Sequence, residues 1–256
     1  MNQYGLIGYP LTHSFSKKYF AEKFERENIK GSRYDLFELK TIDELPALLT
    51  NANLRGLNVT IPYKQKVIPF LDGLDDASAK RIGAVNTIKI YADGSTKGFN
   101  TDYYGFRQSV AEWLDRRGES PIGMKALVLG TGGSCKAVIT ALEDLSATPQ
   151  LVSRTPGEGE FGYDDLTEEV MAEHRLIVNT TPLGMYPAVE TFPPIPYQYI
   201  THDHFLYDLV YNPVDTAFLQ KGAKQKAAIH NGLKMLQLQA EKSWSIWTKE
   251  TTLWDR

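Results

Sequence analysis

The chain has 256 residues, 42% hydrophobic and 23% charged, with a net charge of −3; this allows one large domain or two ordinary ones and argues against disorder. No Lys/Arg-rich block points to nucleic acid, no apolar run approaches the roughly 20 residues that span a bilayer, and Cys135, the sole cysteine, excludes an internal disulfide. Met1-Asn2-Gln3-Tyr4-Gly5 lacks the basic and long apolar regions of a signal peptide, so the expected location is cytoplasmic.

Tyr4–Gly8 reads as a short buried strand. A polar loop through Pro10 and Ser14 follows, with Ser16 placed to cap a helix near Lys17–Glu27. Tyr34–Leu39 reads as a second strand, and Thr41-Ile42-Asp43-Glu44 fits a capping box for a helix to about Asn53. In Gly56–Lys64 the apolar Leu57, Val59 and Ile61 alternate with Asn58 and Thr60, which places both polar side chains on one face. Pro62 suits a first helical turn, so Lys64 is expected at a strand-to-helix junction. A helix N-terminus there would lower the ammonium pKa and suit it to proton transfer. Taken by itself, the residue reads as a surface lysine on a turn. Further helical residues are expected after Lys64 and near Ala77–Arg81, and a hairpin is expected in which Ala84–Ile90 and Ser95–Phe99 flank Asp93-Gly94.

From Asn100-Thr101-Asp102 a helix is expected to about Arg116. Asp102 can pair with Lys64 or share its proton, and Thr101 or Asp102 can equally serve as the helix cap. The unbroken apolar character of Lys125–Gly130 predicts a central parallel strand. It enters Gly130-Thr131-Gly132-Gly133-Ser134-Cys135, with a helix to about Leu145 and a strand ending at Ser153-Arg154. Leu176–Asn179, Phe205–Val210 and Lys226–Ile229 read as further strands, and Asn231–Trp247 as one helix with Trp244 and Trp247 in packing roles. Strand, glycine turn, helix, strand is the unit of a dinucleotide-binding fold.

Gly130 and Gly132 fit the pyrophosphate-binding pattern G-x-G-x-x-G, whose third glycine position is Cys135 here; without its context the motif is equally a tight turn. Where an acid would hold a ribose 2′-hydroxyl stands Ser153-Arg154-Thr155, whose guanidinium fork matches a 2′-phosphate and favours NADP over NAD. The alternative is a solvated arginine at a strand end. Ser14, Ser16, Asn58, Thr60 and Asn86 are hydroxyl and amide groups just past strands, suited to a polyhydroxylated ligand and individually also common in turns. The histidines show no metal spacing, His202-Asp203-His204 reads as an exposed loop, and no metal is expected. Cys135 reads as a small packing residue, although a helix N-terminus can lower a thiol pKa.

Together these segments resemble the shikimate dehydrogenase family, the shikimate/quinate dehydrogenases. The resemblance rests on Gly8-Tyr9-Pro10, His13-Ser14-Phe15-Ser16, Asn58-Val59-Thr60-Ile61-Pro62-Tyr63-Lys64, Gly83-Ala84-Val85-Asn86-Thr87 and Asn100-Thr101-Asp102. It continues through Gly130–Gly133, Ser153–Thr155, Asn179-Thr180-Thr181-Pro182-Leu183-Gly184-Met185, Asp208–Pro213 and Gly232–Gln239. It implies an α/β protein of two domains: a catalytic domain of residues 1–102 with the C-terminal helix, 230–256, and a Rossmann-like NADP-binding domain over 103–229. It implies NADP-linked reduction of 3-dehydroshikimate to shikimate, on the way to chorismate and the aromatic amino acids. The partner is then a small molecule, with neither nucleic acid nor membrane, and the protein a monomer or homodimer. Lys64 and Asp102 would be the catalytic pair. Ser14, Ser16, Asn58, Thr60, Asn86, Tyr211 and Gln239 would hold the substrate, and Asp102 would also contact it. Gly130, Gly132, Gly133, Ser153, Arg154, Thr155, Thr180 and Met185 would hold the cofactor. Three departures stand out. Glu158 and Glu160 follow Arg154 where the family often has a second basic residue. Thr155–His174 is short and glycine-rich, which predicts a loop in place of a helix. Lys234 and Gln237 replace a common glycine and an apolar residue in the last helix.

Overall fold

In the computed structural model, which describes residues 1–11 and 14–249, the chain divides into two compact units. One is Met1–Thr101 with the chain from Ala240 onward; the other is Asp102–Gln239. Each contains one six-stranded sheet.

The first unit carries β1 (Asn2–Gly8), β2 (Ser32–Glu38), β3 (Leu54–Val59), β4 (Gly73–Leu74), β5 (Thr87–Ile90) and β6 (Thr96–Phe99), in the order β2-β1-β3-β5-β6-β4. β1 pairs in parallel with β2 and β3, while β5 is antiparallel to both β3 and β6 as the predicted hairpin requires. Helix α1 (Phe15–Arg26) is capped by Ser14, not Ser16: Ser14 has extended backbone and its Oγ accepts from Lys17 N at 3.2 Å, whereas Ser16 already lies inside the first turn. The helix expected to reach Asn53 stops sooner, as a 3₁₀ turn over Ile42–Glu44 followed by α2 (Leu45–Leu49). Asn51 ends it by turning its side chain to local and distant partners, accepting from Asn53 N and donating to Gln3 Oε1.

No α-helix follows Pro62. The chain makes successive turns to a 3₁₀ segment, Ile68–Phe70, because Pro69 has no N–H and its ring would clash with a helical turn below it. Lys64 therefore sits on a turn, and the helix terminus expected beside it is absent. Two apolar layers cover the sheet. One contains Ile7, Leu57, Val59, Val67 and Ile88; the other contains Tyr4, Phe20, Tyr34 and Trp247.

The second unit contains β7 (Lys125–Leu129), β8 (Thr148–Ser153), β9 (Phe161–Gly162), β10 (Leu176–Asn179), β11 (Phe205–Asp208) and β12 (Ala228–His230). Their order is β12-β11-β10-β7-β8-β9 and every pairing is parallel. This is the doubly wound, Rossmann-like arrangement, with β7 central as its apolar run predicts. The order of winding reverses between β7 and β10, and their C-terminal ends mark the switch point. Helices α3 (Thr101–Asp115), α4 (Cys135–Asp144), α5 (Glu168–Glu173), α6 (Ala217–Lys224) and α7 (Leu233–Thr248) complete the chain. The segment after Arg154 is not wholly loop: it forms β9, a 3₁₀ turn and the six-residue α5, capped by Thr167. Lys234 reaches Glu112 of α3 at 3.9 Å, and Gln237 is exposed. No helix among the described residues is long and apolar enough to cross a membrane.

His204, expected on an exposed loop, is buried; its ring nitrogens meet Thr201 N at 2.9 Å and Met171 O at 2.9 Å, so it ties β11 to α5. Cys135 is buried and burial pushes its thiol pKa up to about 11, so the packing reading holds. His230 stacks on Trp113 with ring centroids 5.1 Å apart. Burial, then Arg116 and Arg117, lower its pKa from 6.5 to about 4. The unfolded chain thus takes up this proton near pH 6.5 and the native chain only near pH 4. Stability from this group is complete above pH 6.5 and falls as pH drops towards 4. His230→Gln is expected to lose less stability than the parent between pH 7 and pH 5 in urea unfolding; equal losses would assign the acid sensitivity to other groups.

Candidate active site

In the first unit the ends of four strands converge. Asn58 on β3 stands opposite Thr87 at the start of β5, and Thr87 stands opposite Phe99 at the end of β6. The C-terminal ends of β1 and β3 close the same edge: Thr60 N donates to Ile7 O at 2.9 Å and Tyr9 N to Ile61 O at 3.1 Å. The peptides before Pro10 and Pro62 are both cis. Gly8 is needed for this approach, since a Cβ there would stand 2.5 Å from Thr60 Cγ2. Ser14, Ser16, Thr60 and Lys64 are half-buried; Thr60 stands at this edge, and the main chain of Lys64 is fixed by Val85 N at 2.7 Å.

Asn58 and Asn86 are buried and hydrogen-bonded. Asn58 Oδ1 accepts from Tyr34 Oη at 2.7 Å, and its Nδ2 donates to Ser243 Oγ at 3.0 Å and Thr87 Oγ1 at 3.2 Å. Asn86 Oδ1 accepts from Thr101 N at 2.6 Å and Thr101 Oγ1 at 3.1 Å. The edge thus gathers Asn58, Thr60, Asn86 and the turn that carries Lys64, and Ser16 reaches it through Tyr34, whose phenol bonds Asn58. Asp102 follows Thr101 directly and is the first residue of the second unit. His13, part of the sequence pattern before Ser14, lies outside the described residues.

The second unit carries its own cleft, of about 470 Å³, at the C-terminal ends of β7, β8 and β10. Gly130, Gly132, Ser153, Arg154, Thr155 and Thr180 line it. Gly133, Met185, Tyr211 and Gln239 are not among its lining residues. Tyr211 is half-buried beyond β11, Met185 is exposed on the loop after β10, and Gln239 is buried in α7. Gly130 has φ +98°, and a Cβ there would stand 2.6 Å from Thr181 Cγ2. The turn is therefore restricted to a bare backbone, which leaves room for a ligand to approach it. Thr180 Oγ1 donates to Leu129 O at 2.7 Å and clamps the end of β10 to the glycine turn.

Arg154 is exposed at the rim. Ser153 Oγ accepts from Thr155 N at 3.2 Å, which holds the turn on which the guanidinium stands. Glu160 Oε2 accepts from Gly157 N at 2.9 Å, closing the loop beyond. Volume, glycine turn and basic rim fit a dinucleotide. Tyr163 and Pro194 also line the cleft, and sequence reading missed both; neither carries a motif, and only the fold-back of the segment after Arg154 brings Tyr163 there. Among the described residues no cluster of His, Cys, Asp and Glu is arranged to hold a metal.

Residues 6–88 match the family model of the shikimate dehydrogenase substrate binding domain. A relative in Clostridium beijerinckii, a shikimate dehydrogenase (NADP(+)), is 40% identical over 96% of this chain and 92% of its own length. The chain belongs to the shikimate dehydrogenase family. Solved structures of the family superpose closely. The Thermus thermophilus shikimate 5-dehydrogenase, in complex with NADP(H) and shikimate, gives a TM-score of 0.83 at 30% identity, covering 97% of this chain and 94% of that one. Quinate dehydrogenase from Corynebacterium glutamicum, in complex with NAD, gives 0.83 at 28% identity, covering 96% and 93%.

Proposed function

We propose that this chain catalyses the reversible reduction of 3-dehydroshikimate to shikimate with NADP, a cytoplasmic step towards chorismate and the aromatic amino acids. The observation that carries the reading is the polar edge of the first sheet, where hydroxyls, amides and Lys64 converge in a chain of this family. In this reading the first unit is the substrate-binding catalytic domain and the second the NADP-binding domain. Ser14, Ser16, Asn58, Thr60, Asn86, Tyr211 and Gln239 hold the substrate carboxylate and hydroxyls. Gly130, Gly132, Gly133 and Thr180 carry the dinucleotide backbone, Ser153, Arg154 and Thr155 the 2′-phosphate, and Met185 the nicotinamide end.

When bound, the nicotinamide supplies the hydride. The protein positions the substrate and manages the proton. As the substrate carbonyl becomes an alcohol, negative charge grows on its oxygen, and Lys64 Nζ donates a proton to it. In this reading Asp102 supplies the carboxylate that completes the acid–base pair with Lys64.

Initial rates of nicotinamide reduction, with shikimate or quinate crossed with NADP or NAD, test the reading. Rates dominated by shikimate with NADP support it; rates dominated by quinate, or no turnover with any pair, overturn it. In the same assay Arg154→Ala is expected to raise the KM for NADP about tenfold or more, by loss of a charge-assisted pair to the 2′-phosphate, with little change for NAD. An unchanged NADP KM would leave Arg154 as a solvated surface residue.

A further inference from the structure

Behind the polar edge of the first unit lies a buried set of hydroxyls that the proposed chemistry does not use. Thr87 Oγ1, Thr101 Oγ1 and Ser243 Oγ form a triangle with sides of 3.0, 2.9 and 3.2 Å. All three residues are fully buried, Ser243 coming from α7, and Tyr34 on β2 is buried nearby. Asn58 joins the two groups, with Tyr34 at its Oδ1 and Ser243 and Thr87 at its Nδ2.

The sense of the Asn58 amide is fixed by one contact that cannot be reversed. Its Nδ2 lies 3.4 Å from the main-chain carbonyl of Asn86, which can only accept. Nitrogen must face that carbonyl, so Oδ1 faces Tyr34 and the phenol must donate. With both amide hydrogens committed to the protein, the remaining capacity of Asn58 is a lone pair on Oδ1. Asn86 is set the opposite way: its Oδ1 takes hydrogen bonds from Thr101 N, Thr101 Oγ1 and Thr87 Oγ1, which leaves Nδ2 as the end able to face a ligand. The two amides thus offer an acceptor and a donor side by side, matched to a ligand bearing neighbouring hydroxyl groups.

We propose that Tyr34 and Ser243 are positioning residues for substrate: with the sense of the Asn58 amide set by the Asn86 carbonyl, they pin the plane and place of that amide, and so the orientation in which a polyhydroxylated ring is held. This rests on the functional reading above. Burial raises the pKa of the Tyr34 phenol, with a hydrogen bond from Ser16 acting against it, so the group stays protonated and able to donate throughout the neutral range. The phenol therefore joins Ser16 to Asn58, two of the residues assigned to the same ligand. Without them the amide keeps its sense but is held only by the Asn86 carbonyl and Thr87, so its plane swings and the lone pair of Oδ1 is misaimed part of the time.

The test is steady-state kinetics of the full chain carrying Tyr34→Phe, Ser243→Ala or both, with shikimate and NADP varied in turn, alongside thermal melting. Each single change is expected to raise the shikimate KM about tenfold, the size of effect of one buried hydrogen-bond partner, and to leave the NADP KM within about twofold. The double variant should rise less than the product of the two, since both act through one amide. A lowered melting temperature with an unchanged shikimate KM overturns the inference, as does a parallel shift in both KM values. Tyr34→Phe removes a single oxygen and decides the matter alone if Ser243→Ala yields no folded protein. Absence of shikimate turnover by the unmodified chain overturns the functional reading itself and this inference with it.

Discussion

Lys64→Ala is expected to lower the turnover number for shikimate about 10²- to 10⁴-fold, the usual contribution of a positioned acid–base group. The main chain at Lys64 is tied to Val85, and the preceding turn is closed by Tyr63 N on Thr60 O, so the backbone does not depend on the ammonium. Lys64 is half-buried on a turn and supports no core, so the alanine variant should melt close to the parent. The NADP KM should stay near the parent value, because the cleft of the second unit takes none of its lining from this segment. Asp102→Asn should follow in the same direction: it keeps the shape of the side chain and removes the carboxylate charge assigned to the proposed acid–base pair. A parent-like turnover number in Lys64→Ala would remove the residue from the mechanism, and the same outcome in Asp102→Asn would reduce that residue to a part of the first turn of α3. Measuring single-turnover rates separates loss of chemistry from slow product release.

Trp247→Ala is expected to destabilise the first unit by about 3–5 kcal/mol, the range for truncating a buried aromatic. Trp247 is buried, stacks on Tyr4 with centroids 5.1 Å apart and meets Phe20 at 5.5 Å. Its Nε1 donates to Ile88 O at 2.9 Å, so truncation also removes the partner of a buried carbonyl. The indole lies directly over Gly56, where a Cβ would stand 2.2 Å from Trp247 Cδ1. A backbone so close cannot relax into the space without disturbing the centre of β3, and the cavity should persist. Urea unfolding followed by circular dichroism gives the value; a loss below about 1 kcal/mol would show that neighbouring aromatic rings refill the site.

Much of this arrangement is readable from residue order alone, and the exceptions share a cause. The unbroken apolar run Lys125–Leu129, the alternation in Leu57-Asn58-Val59 and the Asp93-Gly94 turn are local patterns, and each forms the element its period predicts. The helix expected after Pro62 fails because Pro69 lies further along the same segment, a constraint that outweighs the favourable first turn. The helix expected to reach Asn53 fails because Asn51 finds Gln3, a partner far away in the chain. His204 is buried for a reason of the same kind: its partner Met171 is distant in sequence. Of the candidate site, the glycine turn and Arg154 carry motifs and were legible. Tyr34, Thr87 and Ser243 carry none, and only the folded sheet brings them to Asn58.

Helix α7 has a consequence for how the protein is made. Its residues from Ala240 onward belong to the first unit, and both Ser243 and Trp247 complete interiors whose other members precede Thr101 or include it. A ribosome delivers Met1–Thr101 early, with the aromatic layer still lacking its indole and the buried hydroxyl triangle still lacking one corner. The stretch Asp102–Gln239 is continuous and has all its strands before α7 is finished. The order of synthesis and the order in which the two interiors can close are therefore reversed. The part made earlier stays open longer, with the surfaces around Tyr4 and Phe20 wetted until α7 has been made.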